Sequence, residues 1–302
     1  MSATVSQSIE PQTGATAARN SSFREAVGIF FEDRALLLAL AVIILLLGLA
    51  VLGPVFWAKD PTSVDAGSAL EPPSAEHLMG TDGAGRDVFA RFYAGARISL
   101  TVGAIVVTLG AIIGGLIGMI AGTSGGWLDN LLMRLMDAIL AFPPLILAMA
   151  VTIGLGVGIR TAAIGIIITS VPWYARLIRS EVIRVRSLPF IEAAVAIGAS
   201  RARIIGRHVI PHVISTLLVQ AAASFGYAIL TLAALGFVGL GAQIPTPEWG
   251  AMITEGLAHA ITGRWWVGVF PGLGVLMAVT AANIVADRAR ALLDPRGALA
   301  DL

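Results

Sequence analysis

Long apolar runs alternate with shorter polar segments along the chain. Six runs are each close to the ~20 residues that a helix needs to cross a bilayer. They cover 35–58, 98–121, 131–155, 161–178, 213–240 and 265–286. Pro143 and Pro144 lie in the third run and Pro172 in the fourth, and because proline removes a backbone donor, we expect both helices to be kinked. The pattern predicts an all-α polytopic membrane protein with six transmembrane helices.

The composition agrees with a membrane protein and excludes several kinds of site. Hydrophobic residues make up 57% of the 302 residues and charged residues 13%, against about 25% charged residues in soluble domains. Cysteine is absent, and the single lysine, Lys59, lacks the glycine framework of a Walker-type phosphate-binding loop. His208 and His212 have a metal-pair spacing but no third ligand nearby. We therefore predict no metal site and no cofactor bound by this chain.

Basic residues are distributed unevenly about the predicted spans. With six spans, the side that holds both termini carries 13 basic residues, against 6 on the opposite side. The excess of basic residues in cytoplasmic loops predicts that both termini are cytoplasmic. We accordingly predict a disordered cytoplasmic tail over 1–34, a first transmembrane helix over 35–58, an external segment over 59–97 and a cytoplasmic tail over 291–302.

The predicted spans contain almost no ionisable side chains. Asp137 and Asp287 lie toward the cytoplasmic ends of the third and sixth spans, whereas an ion-driven carrier is expected to hold polar groups near mid-bilayer. The energy source is therefore predicted to lie on another polypeptide, with a secondary carrier or channel as the alternative. A membrane enzyme is disfavoured because no catalytic set is visible at usable spacing. Arg134 precedes Asp137 by three positions, which predicts a local ion pair on one helix face.

Glycine recurs at every fourth position of the second span, at Gly110, Gly114, Gly118 and Gly122. Such a stripe allows the backbone of another helix to approach closely. We predict tight helix packing along the stripe, with a solute path as the alternative.

Four tryptophans lie in or beside the predicted spans. Trp57, Trp265 and Trp266 fall at span ends, which is typical of the interfacial aromatic belt. Trp173 is deeper and follows Pro172. We predict that it packs at the proline kink, with contact to a pore as the alternative.

The cytoplasmic segment 181–212 has a helix–turn–helix pattern. Its distinctive residues are Glu192, Ala193, Ala194, Gly198, Arg201, Arg203, Arg207 and Pro211. The first three open a short helix, the glycine permits a sharp turn, the arginines lie on a second helix, and the proline marks entry to the fifth span. An exposed pair of alanines beside a carboxylate forms a narrow knob that fits a groove on a partner. A basic interfacial helix bound to anionic lipid is the alternative.

These residues resemble a known family. The pattern from Glu192 to Pro211 is similar to the EAA loop of ABC-transporter permeases of the binding-protein-dependent, MetI-like type. A second motif resembles the external segment of dipeptide and oligopeptide permeases and consists of Gly80, Thr81, Asp82, Gly85, Arg86 and Asp87. The resemblance covers roughly residues 30–296 and extends to the second permease subunit of such importers.

The resemblance implies a MetI-like core over 98–290 and a coupling helix within 181–212 that docks in a cytoplasmic ATPase. The implied partners are a second permease subunit in a heterodimer, two ABC ATPase subunits that hold ATP and Mg, an extracytoplasmic solute-binding protein and membrane lipid, with no nucleic acid. The external segments 59–97 and 242–264 are the implied contacts for the binding protein. Peptides are the implied solute; nickel, glutathione, opines and sugars are alternatives. The implied location is the bacterial inner membrane.

Overall fold

The computed structural model describes residues 33–293. The tails predicted over 1–34 and 291–302 lie almost entirely outside the described residues. The helices are α1 Arg34–Phe56, α2 Val88–Ser124, α3 Gly126–Leu140, α4 Pro144–Leu155, α5 Ile159–Arg186, α6 Pro189–Ala196, α7 Arg201–Ile204, α8 Ile210–Phe237, α9 Trp249–Ala260 and α10 Trp266–Leu293. A π-helical turn, Ile205–Val209, makes α7 and α8 continuous.

The structure has five helices that qualify as spans, and the predicted six if one bent helix pair is counted as a span. Five helices are long and apolar enough to cross a membrane: α1, α2, α5, α10 and the continuous helix α7–α8. The sixth is the pair α3 and α4, which is bent by 88°. Pro143 and Pro144 explain a break rather than a kink, because two successive prolines remove two donors and Pro144 starts a new helix. Pro172, by contrast, lies inside the continuous helix α5.

Two helices extend beyond the apolar runs that predicted them. The second run begins at residue 98, but α2 begins at Val88 because the Asp87 carboxylate accepts a hydrogen bond from the Ala90 N–H and caps the helix. At the other side of the bundle, α5 continues to Arg186 although its apolar run ends at residue 178. Polar helix ends carry no hydropathy signal, so the external segment is shorter than predicted.

The four-residue glycine stripe of α2 lies against α5. A Cβ atom at Gly114 would lie 2.5 Å from the carbonyl oxygen of Val171, and one at Gly118 would lie 2.3 Å from that of Ala175. Gly110 and Gly122 approach the Ser170 and Val182 side chains in the same way. Only glycine permits this separation, because any side chain would overlap the backbone of α5.

A buried cluster around α9 lies at the end of the bundle that carries the predicted external segment, which we call the outer end. Although α9 does not span, Trp249 is fully buried and Met252 nearly so. The Trp249 indole donates a hydrogen bond to the Phe92 carbonyl oxygen at 3.1 Å. Gly256 and Gly268 bring the backbones of α9 and α10 together. The external chain between α8 and α10 is thus part of the core.

Candidate functional sites

The short helix α6 lies beside the ends of the spans. Pro189 occupies its first turn, where a missing N–H is tolerated. Ile191 and Ala194 are buried in a cluster with residues of α5 and α8, whereas Glu192 and Ala193 are exposed. The predicted pair of exposed alanines is therefore wrong for Ala194. With a helical period of 3.6, Ala194 falls on the same face as Ile191 and anchors α6 to the bundle.

A sharp turn at Gly198 follows α6, as the pattern predicts. Gly198 has φ +80° and no atom within 4 Å of the position a Cβ would take. Its N–H donates to the Val195 carbonyl oxygen, and the Ala199 N–H donates to that of Ala194, which closes the helix end. Ile197 is 86% exposed. Sequence reasoning missed Ile197, although an isoleucine directly before the turn glycine was the available signal.

The basic helix lies next to this turn. Arg201, Arg203 and Arg207 are all exposed. Ser200 caps α7 and leads into the π-helical turn, which ends just before Pro211. Pro211 has no N–H to donate, so an α-helical turn before it would leave a carbonyl oxygen without its usual partner. The wider π-helical turn leaves fewer backbone groups unpaired. The arginines follow the exposed part of α6 directly along the chain, and we call residues 192–207 the coupling surface after the role that the family resemblance implies.

Ion pairs hold the same end of the bundle together. Arg179 of α5 makes two hydrogen bonds, of 2.6 and 2.8 Å, to the Asp129 carboxylate of α3. Asp137 pairs with Arg176 of α5, so the predicted pair with Arg134 is wrong. The reason is geometric: α3 lies across α5, and a partner on the facing helix is closer than one on the same helix.

The external motif is buried rather than presented to a partner. Thr81, Asp82, Arg86 and Asp87 are each at most 5% exposed. Gly80 and Gly85 both have positive φ, and a Cβ at Gly85 would lie 1.7 Å from a backbone carbonyl oxygen. The motif therefore holds the external loop against the bundle. The contact of segment 59–97 with a binding protein stays a prediction.

A buried ion network lies under this motif. Asp82 accepts from Arg86 at 2.7 Å and lies 3.2 Å from Arg91, while Glu255 of α9 pairs with both arginines. Arg91 is 1% exposed. Neither Arg91 nor Glu255 is predicted by sequence reasoning, because the partners are 164 residues apart. Satisfied charges of this kind hold the outer ends of α2 and α9 in one arrangement.

Asp87 joins the outer end of α1 to α2. Its carboxylate caps α2, accepts from the Trp57 indole at 3.2 Å and lies 2.8 Å from His77 Nδ1. The Trp266 indole similarly donates to the Thr81 carbonyl oxygen at 3.1 Å, and this side chain is only 7% exposed. The aromatic-belt prediction is therefore wrong for Trp266, because it packs inside the protein.

Glu248 is a second buried carboxylate on the outer side. It is fully buried and accepts from the N–H groups of Gly250 and Ala251, which caps α9, and from the Ser99 hydroxyl. Burial raises the pKa of Glu248 above the ordinary value, and these hydrogen bonds only partly offset that effect. Gly236 makes room for the carboxylate, because a Cβ there would lie 2.3 Å from Oε2.

A cavity of about 510 Å³ opens among α2, α5, α8 and α10. Its lining is largely apolar, and we call it the polar cavity because of the polar side chains placed along it. Its polar side chains include Ser170, Tyr174, Gln220, Ser224, Asp287 and Arg290. Trp173 also lines it and is 63% exposed, so the predicted packing of Trp173 at the proline kink is wrong. Its alternative, contact with a pore, stays a prediction. Over residues 33–293 no three potential metal ligands cluster.

A bundle of transmembrane helices with an exposed coupling surface and an internal polar cavity defines a transport permease. Residues 114–298 match the family described as binding-protein-dependent transport system inner membrane component, and residues 21–73 match the N-terminal TM domain of oligopeptide transport permease C. The chain belongs to this binding-protein-dependent permease family. It is a multi-pass inner-membrane protein.

Individual relatives agree with this assignment. The dipeptide transport system permease protein DppC of Alkalihalophilus pseudofirmus is 41% identical over 276 residues, which cover 91% of this chain and 90% of the relative. The glutathione transport system permease protein GsiD of Pectobacterium atrosepticum is 38% identical and covers 80% of this chain and 82% of the relative. A solved chain of the inward-facing MetNI methionine ABC transporter is 19% identical with a TM-score of 0.54, covering 67% of this chain and 96% of that one. This last similarity shows the MetI-like fold.

Proposed function

We propose that this permease subunit moves dipeptides or other short peptides inward across the cytoplasmic membrane, driven by ATP hydrolysis on separate subunits. Family membership supports the importer class. The relatives named for dipeptide and glutathione transport support the solute class, because both solutes are short peptides. The polar cavity supports a solute that carries hydrogen-bonding groups, because an apolar solute would leave these groups unpaired.

The coupling surface is the observation that carries the ATP-driven part of the proposal. Ile197 is 86% exposed and Val195 59% exposed, beside the exposed Glu192 carboxylate and three arginines. Exposed apolar side chains within a charged rim are typical of a protein contact. We propose that an ATPase subunit covers Glu192, Ala193 and Ile197, and that closure of two such subunits on ATP and Mg moves α6.

The proposed assembly has a second, different permease subunit, two cytoplasmic ATPase subunits and an extracytoplasmic binding protein. Arg288 near the end of α10 pairs with Asp33 at the start of α1 at 2.6 Å, which supports both chain ends lying on one side of the membrane. The arginine bias supports the cytoplasm as that side. The exposed stretch 71–76, not the buried motif beneath it, is then available to the binding protein.

A pair of glycine substitutions tests the coupling role. Gly198→Val and Gly125→Val both place a side chain at positive φ, +80° and +66°, with no atom within 4 Å. A side chain in such a backbone conformation costs of order 1–3 kcal/mol. Gly125, with ψ −174°, lies in a region that is almost restricted to glycine, so the control is a strained position as well, but only Gly198 lies on the coupling surface. In the complete complex in proteoliposomes, Gly198→Val should abolish solute uptake while ATP hydrolysis continues, or release the ATPase subunits. Gly125→Val should retain both activities.

Two outcomes contradict the proposal. Normal uptake by the Gly198→Val complex would remove the coupling surface from the mechanism. Uphill solute accumulation by the purified chain alone, with no ATPase subunit present, would instead establish the alternative of a secondary carrier.

A further inference from the structure

The polar cavity runs from the middle of the bundle to the end that carries the coupling surface. Val106, at the middle of the 37-residue α2, lines its inner end. Arg290, three residues before the end of α10, lines the end of the cavity nearer the coupling surface. Its volume of about 510 Å³ lies within the range of roughly 300–1,000 Å³ that small-molecule sites occupy.

The charged groups of this cavity lie on one face of α10. Asn283, Asp287 and Arg290 are spaced by four and three residues and all line the cavity. Within residues 33–293 Asp287 forms no ion pair, and Arg290 donates only to the Gln220 side-chain oxygen, at 3.3 Å. One carboxylate and one guanidinium are thus present without being paired to each other. Along the helix they are about 4.5 Å apart.

A buried hydroxyl also faces this space. Tyr174 is 1% exposed and lines the cavity, and its hydroxyl lies beside the Ser224 hydroxyl without a well-formed hydrogen bond within the described residues. A buried hydroxyl left wholly unpaired would cost about 1–3 kcal/mol. A ligand that supplies a better-placed acceptor or donor would recover part of this free energy. Trp173 and Tyr227 add broad apolar surfaces on the walls.

We infer that this cavity is a binding site for a zwitterionic short peptide, with Asp287 contacting the α-ammonium group, Arg290 the α-carboxylate and Tyr174 the peptide backbone. This inference rests on the proposed function and specifies its site. A dipeptide extends over about 7 Å, which the reach of two side chains 4.5 Å apart along the helix accommodates. The two separate charges disfavour an acyl chain, and the aromatic walls accept peptide side chains.

The test uses end-blocked ligands. The complete complex in lipid nanodiscs, without ATP and without binding protein, is titrated with radiolabelled dialanine, N-acetyl-dialanine and dialanine amide. Asp287→Asn should weaken dialanine binding roughly tenfold and leave the affinity for N-acetyl-dialanine unchanged, because the acetylated ligand has no ammonium group to lose. Arg290→Gln should weaken dialanine binding by a similar factor and leave the affinity for dialanine amide unchanged, because the amide has no carboxylate to lose. Tyr174→Phe should weaken all three ligands severalfold.

Matched variants control for folding and charge. Arg288→Gln removes a charge from the same helix end outside the cavity, and Tyr93→Phe removes a hydroxyl bound to the Trp57 and Lys59 carbonyl oxygens at the outer side. Both should bind all three ligands as the unaltered complex does. Equal losses for blocked and free ligands in Asp287→Asn or Arg290→Gln, or no saturable binding by the unaltered complex, would overturn the inference. Displacement of dialanine by glycerophosphoethanolamine at equal concentration would also overturn it, because the site would then be one for lipid head groups.

The proposed function is tested separately by ATP-dependent dialanine uptake with binding protein present. ATP-dependent uptake, combined with binding losses in the variants that do not depend on which end of the ligand is blocked, would contradict only the cavity assignment. Absence of uptake, with end-specific binding intact, would contradict only the proposed transport function.

Discussion

The contact between α2 and α5 makes a sharp prediction about single methyl groups. Gly118→Ala places a Cβ 2.3 Å from the Ala175 carbonyl oxygen and 3.0 Å from both the Arg179 nitrogen and the Ile178 Cβ atom. Carbon atoms are comfortable at about 3.5–4.0 Å, so the helices must separate by about 1 Å. A side-chain movement cannot relieve this overlap, because the nearest atom belongs to the backbone of α5.

Gly115→Ala provides the matched control in the same helix. Its Cβ would meet only the flexible end of the Leu217 side chain, at 3.2 Å. Here the helix propensity of alanine over glycine, about 1 kcal/mol, is gained with little strain. Overpacking at Gly118 costs about 1–3 kcal/mol beyond any such gain. The two variants should therefore differ in stability by about 2–4 kcal/mol.

The measurement is thermal unfolding of the detergent-purified protein. At roughly 2–4 °C per kcal/mol for a chain of this size, Gly118→Ala should unfold on the order of 5–15 °C below Gly115→Ala. The control should match or exceed the unaltered protein. Equal midpoints for the two variants would show that α2 and α5 tolerate an added methyl group, and that the close approach is not what these glycines provide.

Three further substitutions rank the charged groups by their burial. Glu255→Gln should cost about 3–5 kcal/mol in thermal unfolding because it leaves Arg86 and Arg91 buried with less countercharge, and a loss below 1 kcal/mol would contradict this. Asp129→Asn should cost at most about 1 kcal/mol, because its arginine partner is one-third exposed; a loss above 2 kcal/mol would show that this pair acts as a buried one. Burial raises the folded-state pKa of the Glu248 carboxyl, so this group stabilises the fold while it is protonated, and that contribution is lost as pH rises through the raised pKa. Glu248→Gln lacks the titrating group and should therefore gain stability relative to the unaltered protein as pH rises from about 5 to 8. A difference in thermal unfolding midpoint between Glu248→Gln and the unaltered protein that does not change with pH would contradict this prediction.

The spans were predictable because bilayer thickness imposes a length on apolar runs. The run at 35–58 differs from α1 by only a few residues, and the turn at Gly198 follows from a glycine between two helical patterns. These features depend on local spacing, which the sequence displays directly.

The remaining features depend on contacts between distant segments. Whether Ala194 faces solvent is decided by how an eight-residue helix rotates against α5, and small residues carry little periodic signal. The charge of Arg91 suggested an external side chain, but Glu255 and Asp82 compensate it inside the fold. Trp173 is next to a proline, yet helix α5 stays continuous and turns the indole toward the cavity.

The two ends of the bundle differ in how they are held, and this difference suits a transport cycle. At the outer end, Arg91 and Glu248 are buried with partners and Gly256 contacts the backbone of α10, so displacement there would leave charges unpaired. At the other end, α7 joins α8 through a π-helical turn, and Gly206 within it has open space around it. A π-helical turn changes to an α-helical turn by a shift of hydrogen-bond register, and such turns are frequent at functional sites. Force applied at the coupling surface is therefore expected to move α7 and the cavity walls on α8 while the outer network keeps its arrangement.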